Sequence, residues 1–110
     1  MKNSCAAPGL IEKLPNFDTE IQSGVTLVDF HANWCGPCRM LAPVLEQVAK
    51  TIEGKAAIGK VDIDSAQEVA NRFQITSVPT MILFKNGKEV SRLVGLRDAK
   101  AIETFILAET

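Results

Sequence analysis

The spacing of apolar residues changes several times along this chain, and each change predicts an element. From Val25 to Ala32 the residues are apolar almost without a break, with one acid, Asp29, inside the run. Near-continuous apolarity over that length predicts a central strand covered on both faces. From Cys35 to Ile52 the period lengthens. Leu41, Val44, Leu45, Val48, Ala49 and Ile52 recur at helical spacing and predict the longest helix. Pro43 stands inside that pattern, where it removes one backbone hydrogen bond and predicts a kink. Ala56–Asp62 and Val78–Phe84 read as further strands, the second again continuously apolar. Between them, Ser65-Ala66-Gln67-Glu68 has the form of a capping box, and Val69, Ala70 and Phe73 give the following helix an apolar face. Asn86-Gly87 predicts a hairpin turn into a strand Glu89–Val94, which Gly95 ends. Asp98 is placed to cap a last helix whose Ala99, Ile102 and Ile106 face inward.

The N-terminal part is less regular. Residues 1–9 are small, polar and Pro/Gly-containing, which predicts a poorly ordered tail before a single domain, 10–110. Leu10–Leu14 predicts a short edge strand closed by Pro15. Asn16 can cap a short helix in which Phe17 and Ile21 share a face, and Ser23-Gly24 stops it. The order is β-α-β-α-β-α-β-β-α. Strands joined by helices are expected to be parallel, with right-handed crossovers, and the last two to form an antiparallel hairpin. The result is an α/β fold with a mixed sheet and helices on both faces.

Composition narrows the function. A chain of 110 residues buries roughly two-thirds of its unfolded surface, enough for an independent core. The formal net charge of −1 gives no electrostatic reason for a nucleic-acid or membrane-surface partner. No apolar run approaches the ~18 residues of a membrane span. Met1 to Gly9 lacks the apolar core of a secretory signal, which predicts a cytoplasmic protein. Three cysteines, an odd number, do not make a disulfide framework. In a reducing compartment, a Cys-x-x-Cys pair is catalytic or metal-binding more often than structural.

That pair is Cys35 and Cys38, where the apolar strand meets the long helix. Thiols three residues apart on a first helical turn approach closely enough for a disulfide. Cys35 sits where free backbone N–H groups and the positive end of the helix dipole favour negative charge, so it is a candidate nucleophile. Cys38, one turn deeper, is the natural resolving thiol. Gly36-Pro37 between them adds no positive charge beside the thiolate, which favours a reductant over an oxidant. Asp29 is an acid in an apolar strand, and burial raises a carboxyl pKa by disfavouring the charged form.

Trp34-Cys35-Gly36-Pro37-Cys38, preceded by Val28-Asp29-Phe30, resembles the thioredoxin family. Lys60-Val61-Asp62-Ile63-Asp64, Val78-Pro79-Thr80, Phe84-Lys85-Asn86-Gly87 and Val94-Gly95 resemble its later signatures, in order and spacing. The resemblance implies a three-layer sandwich around a mixed five-stranded sheet of order 1-3-2-4-5. It implies a protein-disulfide reductase that binds no cofactor and no metal, acts on disulfide-containing client proteins, and receives electrons from NADPH through thioredoxin reductase. A monomer is expected. The resemblance further places Asp29 behind Cys38 as its proton acceptor, Lys60 near that acid, and Pro79 in cis facing the cysteines. Val78 would offer backbone groups to an extended client. Trp34, Gly36, Pro37, Val78, Pro79 and Gly95 would form the docking surface.

Other readings of the same residues stand beside this one. Cys5, His31, Cys35 and Cys38 supply the ligand types of a zinc site. The apolar surface around Trp34 and Pro79 would also suit a non-catalytic binding subunit, and Trp34 alone would suit plain core packing. Lys60 by itself reads as a surface strand lysine, and Cys5 as incidental. One position departs from the family. Residue 31 is usually aromatic there, and here it is His31, the chain's one histidine.

Overall fold

A computed structural model describes residues 12–13 and 17–110 of the chain. The elements run β1 (Glu12–Lys13), α1 (Phe17–Glu20), β2 (Val25–His31), α2 (Gly36–Thr51), β3 (Ala57–Asp62), α3 (Gln67–Arg72), β4 (Thr80–Lys85), β5 (Lys88–Val94) and α4 (Ala99–Leu107). The expected order of elements holds. The proposed tail, Cys5, most of the Leu10–Leu14 strand and the Asn16 cap lie outside the described residues.

The five strands form one sheet in the order β1-β3-β2-β4-β5. β2 lies at its centre, hydrogen-bonded to β3 on one side and β4 on the other. Successive side chains of a strand point to opposite faces, so a strand buried on both sides must be apolar at nearly every position. Leu27 packs on one face with Ile58, Met81 and Leu83, beneath Leu41, Leu45, Val48 and Ile52 of α2 and Ile102 and Ile106 of α4. Val28 and Phe30 pack on the other with Val61, Ile82 and Phe84, beneath Phe17 and partly buried Val69, Phe73 and Ile75. α2 and α4 therefore cover one face, and α1 and α3 the other.

Two expectations need correction. β4 follows a helix, yet it runs antiparallel to β2. His31 pairs with Asp62 at the end of β3, and Phe30 pairs with Thr80 at the start of β4. The link from β3 to β4 thus begins and ends at the same end of the sheet. The six-residue α3 crosses the sheet without carrying the chain back along it. A helix makes its flanking strands parallel only when it makes that return.

The capping box also fails to form. Ala66 is the residue at the N-cap of α3, and no side chain caps this helix. The Asp62 carbonyl accepts the N–H groups of Ser65 and Ala66, and its carboxylate accepts the N–H of Asp64. That turn shapes the helix entry. By contrast, Asp98 does cap α4, accepting the N–H of Ala101 at 2.8 Å. Asn86 and Gly87 both have positive φ, 52° and 88°, as a tight hairpin turn requires. Pro43 lies inside α2, which continues through it, with the ring on the exposed side.

Candidate active site

The chain leaves β2 through Ala32, Asn33 and Trp34 and turns into α2 at Cys35. The N–H of Cys35 donates to the Ala32 carbonyl at 3.2 Å, which closes the turn. Cys35 is the N-cap, with extended backbone. Its sulfur therefore occupies the place of a capping oxygen and accepts the N–H of Cys38 at 3.1 Å. Pro37 falls in the first turn, where its missing N–H removes no helical hydrogen bond. Cys35 and Cys38 are disulfide-bonded, with their Cα atoms 5.3 Å apart. Both are buried, at 4% and 6% exposure, in a small cluster with Ala32, Ile63 and Val78.

The other predicted residues come to this place from three more strands or their flanks. The Val78–Pro79 peptide is cis, and the Val78 carbonyl oxygen lies 3.7 Å from Cys35 Sγ. The Pro79 carbonyl accepts the N–H of Gly95 at 2.8 Å, which joins the end of β5 to the residue before β4. Gly95 has φ +95°, a conformation that side chains with a Cβ rarely adopt. Trp34 is 66% exposed, so it is not a core residue.

Asp29 lies on the α2 side of the sheet and is 1% exposed. It is not a solvated acid at a strand end. Its Oδ1 has no hydrogen-bond partner among the described residues. Lys60 is its neighbour across the β2–β3 ladder. Burial pushes the Asp29 carboxyl up from 3.8 to about 7, and the Lys60 charge offsets part of that rise. A pocket of about 160 Å³ joins Asp29, Lys60 and His31 on the sheet to Cys38 and Arg39 on α2.

Three participants had no role assigned from sequence. Asp64 Oδ2 accepts the indole N–H of Trp34 at 2.9 Å and holds the ring across the loop. Arg39 Nη1 donates to the Asn33 carbonyl at 2.6 Å and braces the turn before Cys35. Met40, 62% exposed one residue further along α2, is an exposed apolar side chain near Trp34 in sequence. Asp64 and Arg39 lie within or beside the motifs, but contacts across a loop leave no periodic signal. Cys5 lies outside the described residues, so the four-ligand zinc reading has no described geometry. No group of three or more His, Cys, Asp or Glu among the described residues is arranged to hold a metal ion.

A model of the thioredoxin family matches residues 10–108. The chain belongs to the thioredoxin family. Thioredoxin from Staphylococcus saprophyticus is 54% identical over 91 residues, covering 83% of this chain and 88% of that one. Thioredoxin from Chlamydia pneumoniae is 50% identical over the same shares. A solved mutant thioredoxin from Halobacterium salinarum superposes with a TM-score of 0.83 at 37% identity, covering 96% of this chain and 95% of that one. Membership and the Cys35–Cys38 pair together make this chain a protein-disulfide oxidoreductase.

Proposed function

We propose that the chain reduces client disulfides in two steps divided between its cysteines. The Cys35 thiolate attacks a client disulfide and forms a mixed disulfide, and the first client thiolate leaves. Asp29 then takes the proton of Cys38. The Cys38 thiolate attacks Cys35 Sγ, the second client thiolate leaves, and the Cys35–Cys38 bond remains. The observation that carries this division is the N–H of Cys38 donating to Cys35 Sγ at the helix start. A hydrogen bond to sulfur and the helix dipole both favour the anion at Cys35. Cys38 has instead the buried acid in its pocket.

Lys60 keeps Asp29 from rising still further, so that the acid can be ionised when Cys38 must lose its proton. Gly36-Pro37 leaves the thiolate without an added cation and makes the pair a reductant. Clients dock as an extended segment on Trp34, Pro37, Val78, Pro79 and Gly95, pairing with the Val78 backbone. Thioredoxin reductase, drawing on NADPH, regenerates the dithiol, and no cofactor is held by the chain itself. We place the protein in the cytoplasm, as a monomer, with one domain from residue 10 onward. Among the described residues no helix is long and apolar enough to cross a membrane.

The test is to trap the first step. Reduced Cys38→Ser protein mixed with a disulfide client should accumulate a covalent Cys35–client adduct, seen by non-reducing electrophoresis and mass spectrometry. Wild-type turnover by this variant would refute the two-thiol scheme.

A further inference from the structure

The scheme above leaves one proton without a route. The proton that Asp29 takes from Cys38 must leave before the next cycle, and Asp29 is 1% exposed. It lines a pocket of about 160 Å³ that it shares with Cys38. That volume is well above the ~10–15 Å³ that one water needs.

The groups that face Asp29 there differ in what they can do with a proton. Lys60 and Arg39 line the pocket as cations, and neither an ammonium nor a guanidinium has a lone pair to receive a proton. Met81, the neighbour of Asp29 on β4, carries no charge. His31 lines the same pocket. It stands two residues from Asp29 on β2, hence on the same face, at about 7 Å along the strand. The pocket they share has room for bridging water. His31 is also partly exposed, so it reaches from the pocket toward solvent. Asp62, its neighbour on β3, brings a carboxylate to the same face.

We propose that His31 is the proton-exchange partner of Asp29, receiving through pocket water the proton that Asp29 takes from Cys38 and releasing it to solvent. This rests on the role given to Asp29 above. The protons balance in three transfers. Cys38–SH and Asp29 carboxylate give Cys38 thiolate and Asp29 carboxylic acid. The acid and neutral His31 give carboxylate and imidazolium. The imidazolium then returns one proton to solvent, and the client thiolate released by Cys38 attack takes one up. His31 acts on the sulfurs only through Asp29, which makes it a positioning residue for proton flow.

The test measures repeated reduction of a model disulfide peptide by the full chain, re-reduced in situ by excess dithiothreitol with the uncatalysed rate subtracted, across pH. Wild type, His31→Phe, His31→Gln, Asp29→Asn and the double variant Asp29→Asn/His31→Phe are compared. Both His31 variants should turn over about tenfold more slowly near neutrality, less than the roughly hundredfold that a directly acting base contributes at its least. Both should lose one ionisation from the pH–rate curve. Imidazole added to a further variant, His31→Ala, should restore part of the rate that this variant loses. In the Asp29→Asn background, His31→Phe should change nothing further, because the two act in series. Wild-type rates and pH curves in both His31 variants, with Asp29→Asn slow, would overturn the relay and leave the role of Asp29 standing. A wild-type rate in Asp29→Asn would overturn both.

Discussion

The two faces of the central strand are built to different ends. Val28 and Phe30 enter a face where Phe17, Phe73 and Phe84 join them, with ring centroids 5.2–6.4 Å apart. The buried polar residues on that face are two threonines, Thr26 and Thr80, and none of its described buried residues is charged. Leu27 enters the opposite face among Ile58, Leu83 and the helix residues of α2 and α4. Two residues later on that same face stands Asp29, then His31, under the first turn of α2. One face thus contributes burial along its whole length, while the other gives up burial at one end. The unfavourable group sits where the reactive sulfurs are. Because the strand is shared, the aromatic face can hold β2 in place while Asp29 remains costly.

Predictions that break this contrast can be ranked by size. Cys35→Ser should abolish disulfide reduction in a turnover assay with a protein disulfide, while the reduced variant keeps its fold by circular dichroism. Residual reduction at a wild-type rate would mean that another thiol initiates attack. Next, Phe84→Ala on the aromatic face should lose about 3–5 kcal/mol in denaturant melts, because it opens a cavity among fixed rings. A loss below about 1 kcal/mol would show that this face is not the anchor.

Asp29→Asn should move stability the other way. The folded state raises the Asp29 pKa, so folding holds that proton more tightly than the unfolded chain does. Its contribution is complete below pH 3.8 and is lost as pH rises through about 7. At about pH 8 the Asn variant should therefore be more stable than wild type by roughly 4 kcal/mol, and near pH 3 about equal to it. Denaturant melts at the two pH values check this, and an Asn variant less stable at the higher pH would break the contrast. The smallest stability effect belongs to Trp34→Ala. With 66% of the residue exposed, its loss should stay within about 0.5 kcal/mol. Client affinity, read by calorimetry with a trapped or peptide client, should fall clearly.

The contrast between the faces was partly legible in the sequence. An acid inside Val25–Ala32 stands out because the rest of the run is apolar, and a strand alternates its faces, so Asp29 and Phe30 had to part. The long helix and the hairpin were legible because period and turn chemistry are local properties. The direction of β4 was not. Whether a six-residue helix carries the chain back along a sheet depends on where it packs, and periodicity holds no record of that. The capping box failed for a related reason. Its spacing was right, but the Asp62 carbonyl at the strand end took the Ser65 N–H that the Glu68 side chain would have accepted. Of the site, the residues in motifs were legible. The Trp34–Asp64 hydrogen bond, the Arg39 brace and the shared pocket of His31 and Asp29 depend on tertiary distance and were not.

The central claim is that the face beneath α2 carries a buried acid that titrates near neutrality beside Cys38. Carbon-13 NMR of the Asp29 side-chain carboxyl, assigned by comparison with Asp29→Asn and followed across pH in the oxidised protein, tests this most directly. The account predicts a midpoint of about 7. A midpoint near the ordinary aspartate value of about 4 would contradict it.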